Sequence, residues 1–179
     1  MSTMNTEGFA SAPTRSWREE NGAIYFSVTS DGTTGKGWIT RLVGKGFGVG
    51  DCAISVLLSP DFKPTNGVTT EIAVLKGTLF KGQIRTTKEI RTEAEKRKLA
   101  KPNAEVACLI REKFTDKEIE AMGLWYIAAM HEPIKDSDSV PYLLRANRSR
   151  FGSWLHTGRG YHFDGWRREG GFAFSVSQI

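Results

Sequence analysis

The chain has 179 residues, 39% of them apolar and 25% charged, which is about one domain's worth of length with enough apolar surface for a core. Its longest uncharged apolar run, Leu124 to Met130, falls far short of the roughly 20 residues a membrane helix needs, so no membrane partner is expected. The formal net charge of +5 is unevenly placed: residues 141–179 hold six Arg against Asp164 and Glu169, whereas 81–120 hold 11 basic and 8 acidic residues. A coat for nucleic acid spreads its charge more widely; this is one local patch.

Residues 1–23, rich in Ser, Thr, Gly and charge, read as a flexible polar leader. They lack the apolar stretch of a signal peptide, which makes the cytoplasm the expected compartment. Ala23 to Thr29 reads as a first strand, ended by the turn signal Ser30-Asp31-Gly32. Trp38/Leu42 and Ile39/Val43, four apart, predict a short helix, which the glycine-rich run Gly44 to Gly50 stops. Asp51 is placed to cap a second helix running to Ser59 and closed by Pro60. Val68 to Leu75 suits either element: Ile72, Leu75 and Leu79 fit a helix, but the β-branched content favours a strand.

Thr86-Thr87-Lys88-Glu89 is a capping box opening a basic helix to Leu99, with Lys96, Arg97 and Lys98 in its last turn. Pro102-Asn103 starts the next helix, with Val106, Leu109, Ile110 and Phe114 facing inward. Thr115-Asp116-Lys117-Glu118 is a second capping box, and Gly123 ends that helix. At Leu124 the periodicity changes to two. Strands are predicted at 124–130, 142–146, 153–157 and 171–177, the last with Phe172, Phe174 and Val176 alternating against Ala173, Ser175 and Ser177. The expectation is an α+β domain over 24–179, with a helical part at 24–123 and a β-rich, Arg/aromatic antiparallel part at 124–179.

Motifs for chemistry fail on spacing. Gly32-Thr33-Thr34-Gly35-Lys36-Gly37 has two residues between its first glycines where a phosphate loop has four, and Gly where that loop has Ser or Thr, so it reads as a flexible turn. His131-Glu132-Pro133 starts like a zinc-protease helix, but Pro133 breaks it. Asp136-Ser137-Asp138 starts like a calcium loop and then meets Val140 and Pro141. Both read as a hairpin loop. The histidines His131, His156 and His162, with Asp164, lack a spacing that would align them on a metal. Cys52 and Cys108 read as two buried, reduced thiols. No metal, cofactor or catalytic residue is assigned.

Residues 145–171 stand apart. They hold six Arg, six Gly, five aromatics and two His, and no Lys, although 12 Lys precede them. They also lack Ile, Val, Met, Pro and Cys. Arg with Tyr, Trp, Ser and Gly is the composition of a recognition surface, since stiff amphipathic rings give contact area at low entropy cost and Arg adds directional donors. The candidate ligand-binding residues are Arg148, Arg150, Arg159 and Arg167 for charge, Trp154, Tyr161 and Trp166 for flat contact, and His156 and His162 for pH sensitivity. The bland alternative is a Gly-rich loop with structural Trp anchors.

Val106-Ala107-Cys108-Leu109-Ile110-Arg111-Glu112, Met130-His131-Glu132-Pro133-Ile134 and Gly171-Phe172-Ala173-Phe174-Ser175-Val176-Ser177-Gln178 resemble an uncharacterised, paralogous protein family of candidate-phyla bacteria. That resemblance covers residues 24–179 and implies no activity. Gly152-Ser153-Trp154, the polar stretch after it and Gly171-Phe172 are similar to the ending of C-type-lectin-fold variable proteins of diversity-generating retroelements. The second resemblance implies a C-type-lectin-like fold and a surface varied at adenines of Asn codons. Such variation yields Arg, Gly, Ser, His, Tyr, Phe and Asp but never Lys. Trp154, Trp166 and Glu169 are outside its reach and would be scaffold. The function expected is a non-enzymatic binding protein with a protein ligand. Nucleic acid bound by the same residues is the alternative, and an enzyme of unknown type the third possibility.

Overall fold

The computed structural model describes residues 15–177. Its first strand, β1 (Arg18–Glu20), lies at a sheet edge against β2 (Ala23–Asp31). Trp17 beside it is 8% exposed and belongs to the core. The polar leader expected over 1–23 is therefore corrected from Trp17 onward; residues 1–14 lie outside the described residues. An apolar Trp and a strand's worth of backbone donors at 18–20 find partners that composition alone does not reveal.

Helix α1 (Gly35–Gly44) is capped by the Thr34 hydroxyl, which accepts from the Gly37 amide at 3.1 Å, and buries Trp38 and Leu42. Gly35-Lys36-Gly37 thus forms a first helical turn, where the sequence suggested a flexible turn. Gly35 is obligatory there, because a Cβ would stand 1.7 Å from the Leu57 carbonyl oxygen. After β3 (Gly48–Val49), helix α2 (Asp51–Leu57) starts with Gly50 as its N-cap. Asp51 occupies the first turn and favours the helix dipole instead of capping. Cys52, on the same turn, is exposed, while Cys108 is buried; only the second matches the expected pair of buried thiols.

The ambiguous segment is a strand, β4 (Asn66–Lys76). A 3-10 turn at Gly77–Leu79 and the short β5 (Ile84–Thr86) lead to α3 (Thr87–Lys96), whose Thr86/Glu89 capping box is formed in both directions. The strand β6 (Leu99–Ala100) precedes α4 (Glu105–Lys113), where Val106 to Arg111 are all buried. Asn103 sits before that helix and its Oδ1 accepts from the Glu105 amide. The second capping box, Thr115/Glu118, opens α5 (Asp116–Ala121), and Gly123 follows at φ +81°. The last strands are β7 (Tyr126–Ala129), β8 (Ile134–Lys135), β9 (Pro141–Ser149), β10 (Gly152–Arg159), β11 (Gly165–Arg167) and β12 (Gly170–Val176).

The architecture is α+β. One mixed sheet runs β1-β2-β4-β12-β7-β9-β10-β3, with β6 on β12 and β8 on β9, and β5 with β11 makes a separate two-stranded ribbon. The sheet takes strands from both halves of the chain, so the division into a helical 24–123 and a β-rich 124–179 does not hold. It is also not purely antiparallel, because β12 pairs β7, and β10 pairs β3, in parallel.

Strand alternation divides the buried side chains between two faces. On the first, Ile24, Phe26, Ile72, Val74, Ile127, Leu144, Ala146 and Leu155 pack against α1, α2, α4 and α5. On the second, Ala23, Leu75, Phe172, Phe174, Tyr126 and Ala128 pack against Ile90 and Ala94 of α3 and against Trp166. Beyond β7 this second face carries Arg145, Asn147, Trp154 and His156, each half-buried.

Candidate ligand-binding site

The open end of the second face is built in cross-strand rows. Ala128, Arg145 and His156 lie opposite one another on β7, β9 and β10, and Tyr126, Asn147 and Trp154 form the next row. Trp154 and His156, two apart on one strand, stack with ring centroids 5.1 Å apart and planes 10° from parallel. They lie over the backbone of β3: a Cβ on Gly48 would come 2.5 Å from the indole, and one on Gly50 2.7 Å from the imidazole Nδ1. Burial first, and then the charge of Arg145, hold the His156 imidazole below its ordinary pKa.

Trp166 of β11 is the floor. It is 4% exposed, its indole N–H donates to Thr87 Oγ1 at 2.8 Å, and its ring meets Tyr126 and Phe172 at centroid distances of 6.0 and 5.8 Å. Gly158 lets the indole in, since a Cβ there would be 2.4 Å from it. The preceding loop is tied to α3: Thr87 and Lys88, whose amides open that helix, donate to the carbonyls of Asp164 and His162, each at 3.1 Å. The helix start is therefore satisfied from within.

Two adjoining cavities result. One, about 300 Å³, is lined among others by Tyr126, Arg145, Gly158, Arg159, Trp166 and Arg167. The other, about 480 Å³, is lined by Trp125, Tyr126, Arg145, Asn147, Arg167 and Glu169. Arg145 borders both. Its guanidinium lies 4.9 Å from the Tyr126 ring centroid, and its Nε is buried without a hydrogen-bond partner. Among the described residues no carboxylate pairs with it. Burial lowers its pKa, and the neighbouring Tyr126 opposes that. Arg85, fully buried on β5 opposite Trp166, donates to the Gly82 carbonyl at 2.7 Å and leaves Nε and Nη1 unpaired. Burial raises the Tyr126 hydroxyl's pKa, while the Arg167 amide that donates to it and the charges of Arg145 and Arg85 counter the rise.

Of the residues predicted from sequence, Trp154, His156, Arg159, Trp166 and Arg167 gather around Arg145. Arg148 does not. It points to the other face, its side chain 12% exposed, pairing with Glu120 at 3.2 Å and lying 4.2 Å over the Trp125 ring. Three positions along the strand separate it from Arg145, and an odd spacing puts the two side chains on opposite faces. Arg150 sits at the exposed turn between β9 and β10 beside Phe151, which is 93% exposed. Tyr161 and His162 are exposed on the loop before β11, where Tyr161 stacks on Phe163 with centroids 5.2 Å apart.

Arg145, Tyr126 and Asn147, and Trp125 at the margin, carry no motif that marks a site. The available signal was Arg145 interrupting Leu143, Leu144 and Ala146 in mid-strand, a charge where an apolar residue fits better.

The motif fragments resolve into structure. His131 is buried, its Nδ1 engaged by the Glu132 carbonyl at 2.7 Å and its Nε2 accepting from the Leu144 amide at 3.0 Å. Asp136 Oδ1 accepts from the Asp138 and Val140 amides at 2.9 Å and closes the loop. Among the described residues no three of His, Cys, Asp or Glu converge, and no helix is long and apolar enough to cross a membrane. The chain matches no family model, no curated protein and no solved structure.

Proposed function

We propose that the chain is a non-enzymatic binding protein that receives a segment of a protein ligand on the open end of its sheet, over the paired cavities. The observation that carries this is the wall itself. Arg145, Arg167, Tyr126 and Asn147 converge on concave space that no element of the fold fills, with Trp125 and Glu169 at its margin. Concave sites with aromatic walls and a few placed polar groups are where ligands are held. A planar Arg among rings is a frequent anchor in protein recognition.

Nucleic acid, the other candidate, would need free ring faces for base stacking. Here Trp154 is stacked on His156, Tyr161 on Phe163, and Arg148 lies over Trp125, so each of these rings has one face already engaged. The concave lining around Arg145 favours the peptide. Continued variation of the exposed positions in 145–171, as in the variable proteins the C-terminus resembles, would alter the rim of this site and leave its Trp166 floor in place.

The test is selection from a displayed random-peptide library on the immobilised protein, repeated on Asn147→Ala and Arg167→Ala. Selected peptides are expected to bind the two variants roughly tenfold or more weakly. Lack of any selected family, or affinities indifferent to both substitutions, would refute the proposal. Binding of a single-stranded oligonucleotide with a steep salt dependence would transfer the site to nucleic acid.

A further inference from the structure

Resting on that reading, we infer that the cavities around Arg145 form an oxyanion site, which takes a carboxylate or a phosphate monoester presented by the ligand. The inference starts from charge that the fold leaves unanswered. Buried or half-buried cations in proteins are paired, because removing them from water is costly without a partner. Arg111 shows this chain's own practice: fully buried, it donates to the Asn147 and Phe114 carbonyls at 3.1 and 2.9 Å and pairs with Asp116 at 3.0 Å. The Arg145 side chain has no hydrogen bond and no ion pair among the described residues, whereas Arg111 leaves only its Nε unpaired, and Arg85, across the ribbon from Trp166, has two nitrogens unpaired.

Arg159 and Arg167 border the same space and also lack a carboxylate partner among the described residues. The two acids nearby do not answer this charge. Asp164 Oδ2 accepts from the Tyr161 amide at 2.9 Å within its own loop, and Glu169 is exposed and pairs with none of these arginines. Three arginines, Arg145, Arg159 and Arg167, therefore line concavities whose two carboxylates, Asp164 and Glu169, form an ion pair with none of them. A guanidinium fork matches a carboxylate or phosphate with two parallel hydrogen bonds, and a site shielded by Tyr126 and Trp166 strengthens them. The start of α3 is not the anion's seat, because the Asp164 and His162 carbonyls already occupy its first amides.

The experiment is thermal unfolding of the full chain at constant ionic strength with benzoate, phenyl phosphate or inorganic phosphate, and with benzamide as the neutral counterpart of benzoate. A ligand that binds only the folded state raises the melting temperature in a saturable way. Benzoate or phenyl phosphate is expected to do so and benzamide is not. Preference between the two anions distinguishes a carboxylate from a phosphate source, and inorganic phosphate alone shows whether the ring contributes. Arg145→Gln should abolish the shift, and Arg145→Lys should weaken it roughly tenfold by keeping the charge and losing the fork. Arg150→Gln, away from the cavities, should leave it unchanged. The unliganded melting temperature of Arg145→Gln should be equal to or higher than that of the parent, since an uncompensated cation is removed.

Equal shifts from benzamide, or shifts unaffected by Arg145→Gln, would overturn the inference. The two proposals fail separately. Peptides that bind through Asn147 while ignoring Arg145→Gln would sink the oxyanion site alone. Anions that bind through Arg145 with no peptide selected would sink the protein-ligand reading alone.

Discussion

His131 ties the stability of the fold to pH. The imidazole is 1% exposed and both nitrogens are committed: Nε2 accepts from the Leu144 amide of β9, so the ring must be neutral, with its proton on Nδ1 toward the Glu132 carbonyl. Arg91, which donates to the His131 carbonyl at 3.0 Å, adds a repelling charge, while Glu132 opposes it weakly. Burial dominates, and the group's pKa falls from 6.5 to about 4. An unfolded chain takes up this proton near 6.5 and the fold refuses it until about 4, so stability is complete above the first value and lost as pH falls toward the second. The full gap corresponds to about 3 kcal/mol, of which about 2 kcal/mol is lost between about pH 7 and about pH 5. Urea unfolding at those two values measures it. Asp31, Glu112 and Glu132 also have depressed pKa values, but their contribution is lost only at lower pH, in the carboxylate range. His156 changes in the same direction as His131, so the comparison that isolates His131 is with His131→Gln. That variant should be weaker at neutral pH by about 1–3 kcal/mol for the damaged hydrogen bonds, yet show a much flatter pH dependence. Equal losses in the two proteins would refute the assignment.

Three other outcomes follow from contacts described above. Arg111→Gln should destabilise the fold by about 3–5 kcal/mol in denaturant unfolding, because it strands Asp116 and two carbonyls, whereas Arg150→Ala should stay within about 0.5 kcal/mol. Gly158→Ala should cost about 1–3 kcal/mol by driving the Trp166 indole off β10, visible as a changed near-ultraviolet circular dichroism signal as well as a lower melting temperature. Iodoacetamide should alkylate Cys52 in the native protein, while Cys108, buried and with its thiol pushed well above the ordinary range, should react only on unfolding; mass spectrometry of the peptides reads both.

Local physics made much of the fold legible from sequence. The two capping boxes at Thr86 and Thr115 mark their helices because side chain and backbone satisfy each other within four residues. β2, β9, β10 and β12 were visible because half-buried strands alternate, and the β-branched run at 68–75 resolved as a strand. What alternation does not carry is which face a neighbour covers. Arg145 and Arg148 look alike in the sequence, yet Glu120 and Trp125 meet the second, while among the described residues no carboxylate pairs with the first. Cys52 and Cys108 likewise share an apolar, helical context, and only tertiary packing separates the exposed thiol from the buried one. The sheet order was equally out of reach, since pairing partners such as Phe172 and Leu75 are set by shape across nearly a hundred residues of chain.

That order has a consequence for assembly. β12 stands between β4 and β7, antiparallel to one and parallel to the other. Without it the sheet falls into two groups, β1-β2-β4 and β7-β9-β10-β3. The keystone strand is synthesised after every element it joins. Apart from β12, helix α4 packs against both groups, on β2 on one side and on β7 and β9 on the other. Closure of the sheet waits for residues 170–176. Pairings of such long sequence separation are slow to form, and until residues 170–176 dock the facing edges of β4 and β7 have no partner in this sheet. The late arrival of one strand thus couples completion of the core to completion of the site, because the strand that closes the sheet follows directly from the ribbon that carries Trp166 and Arg167.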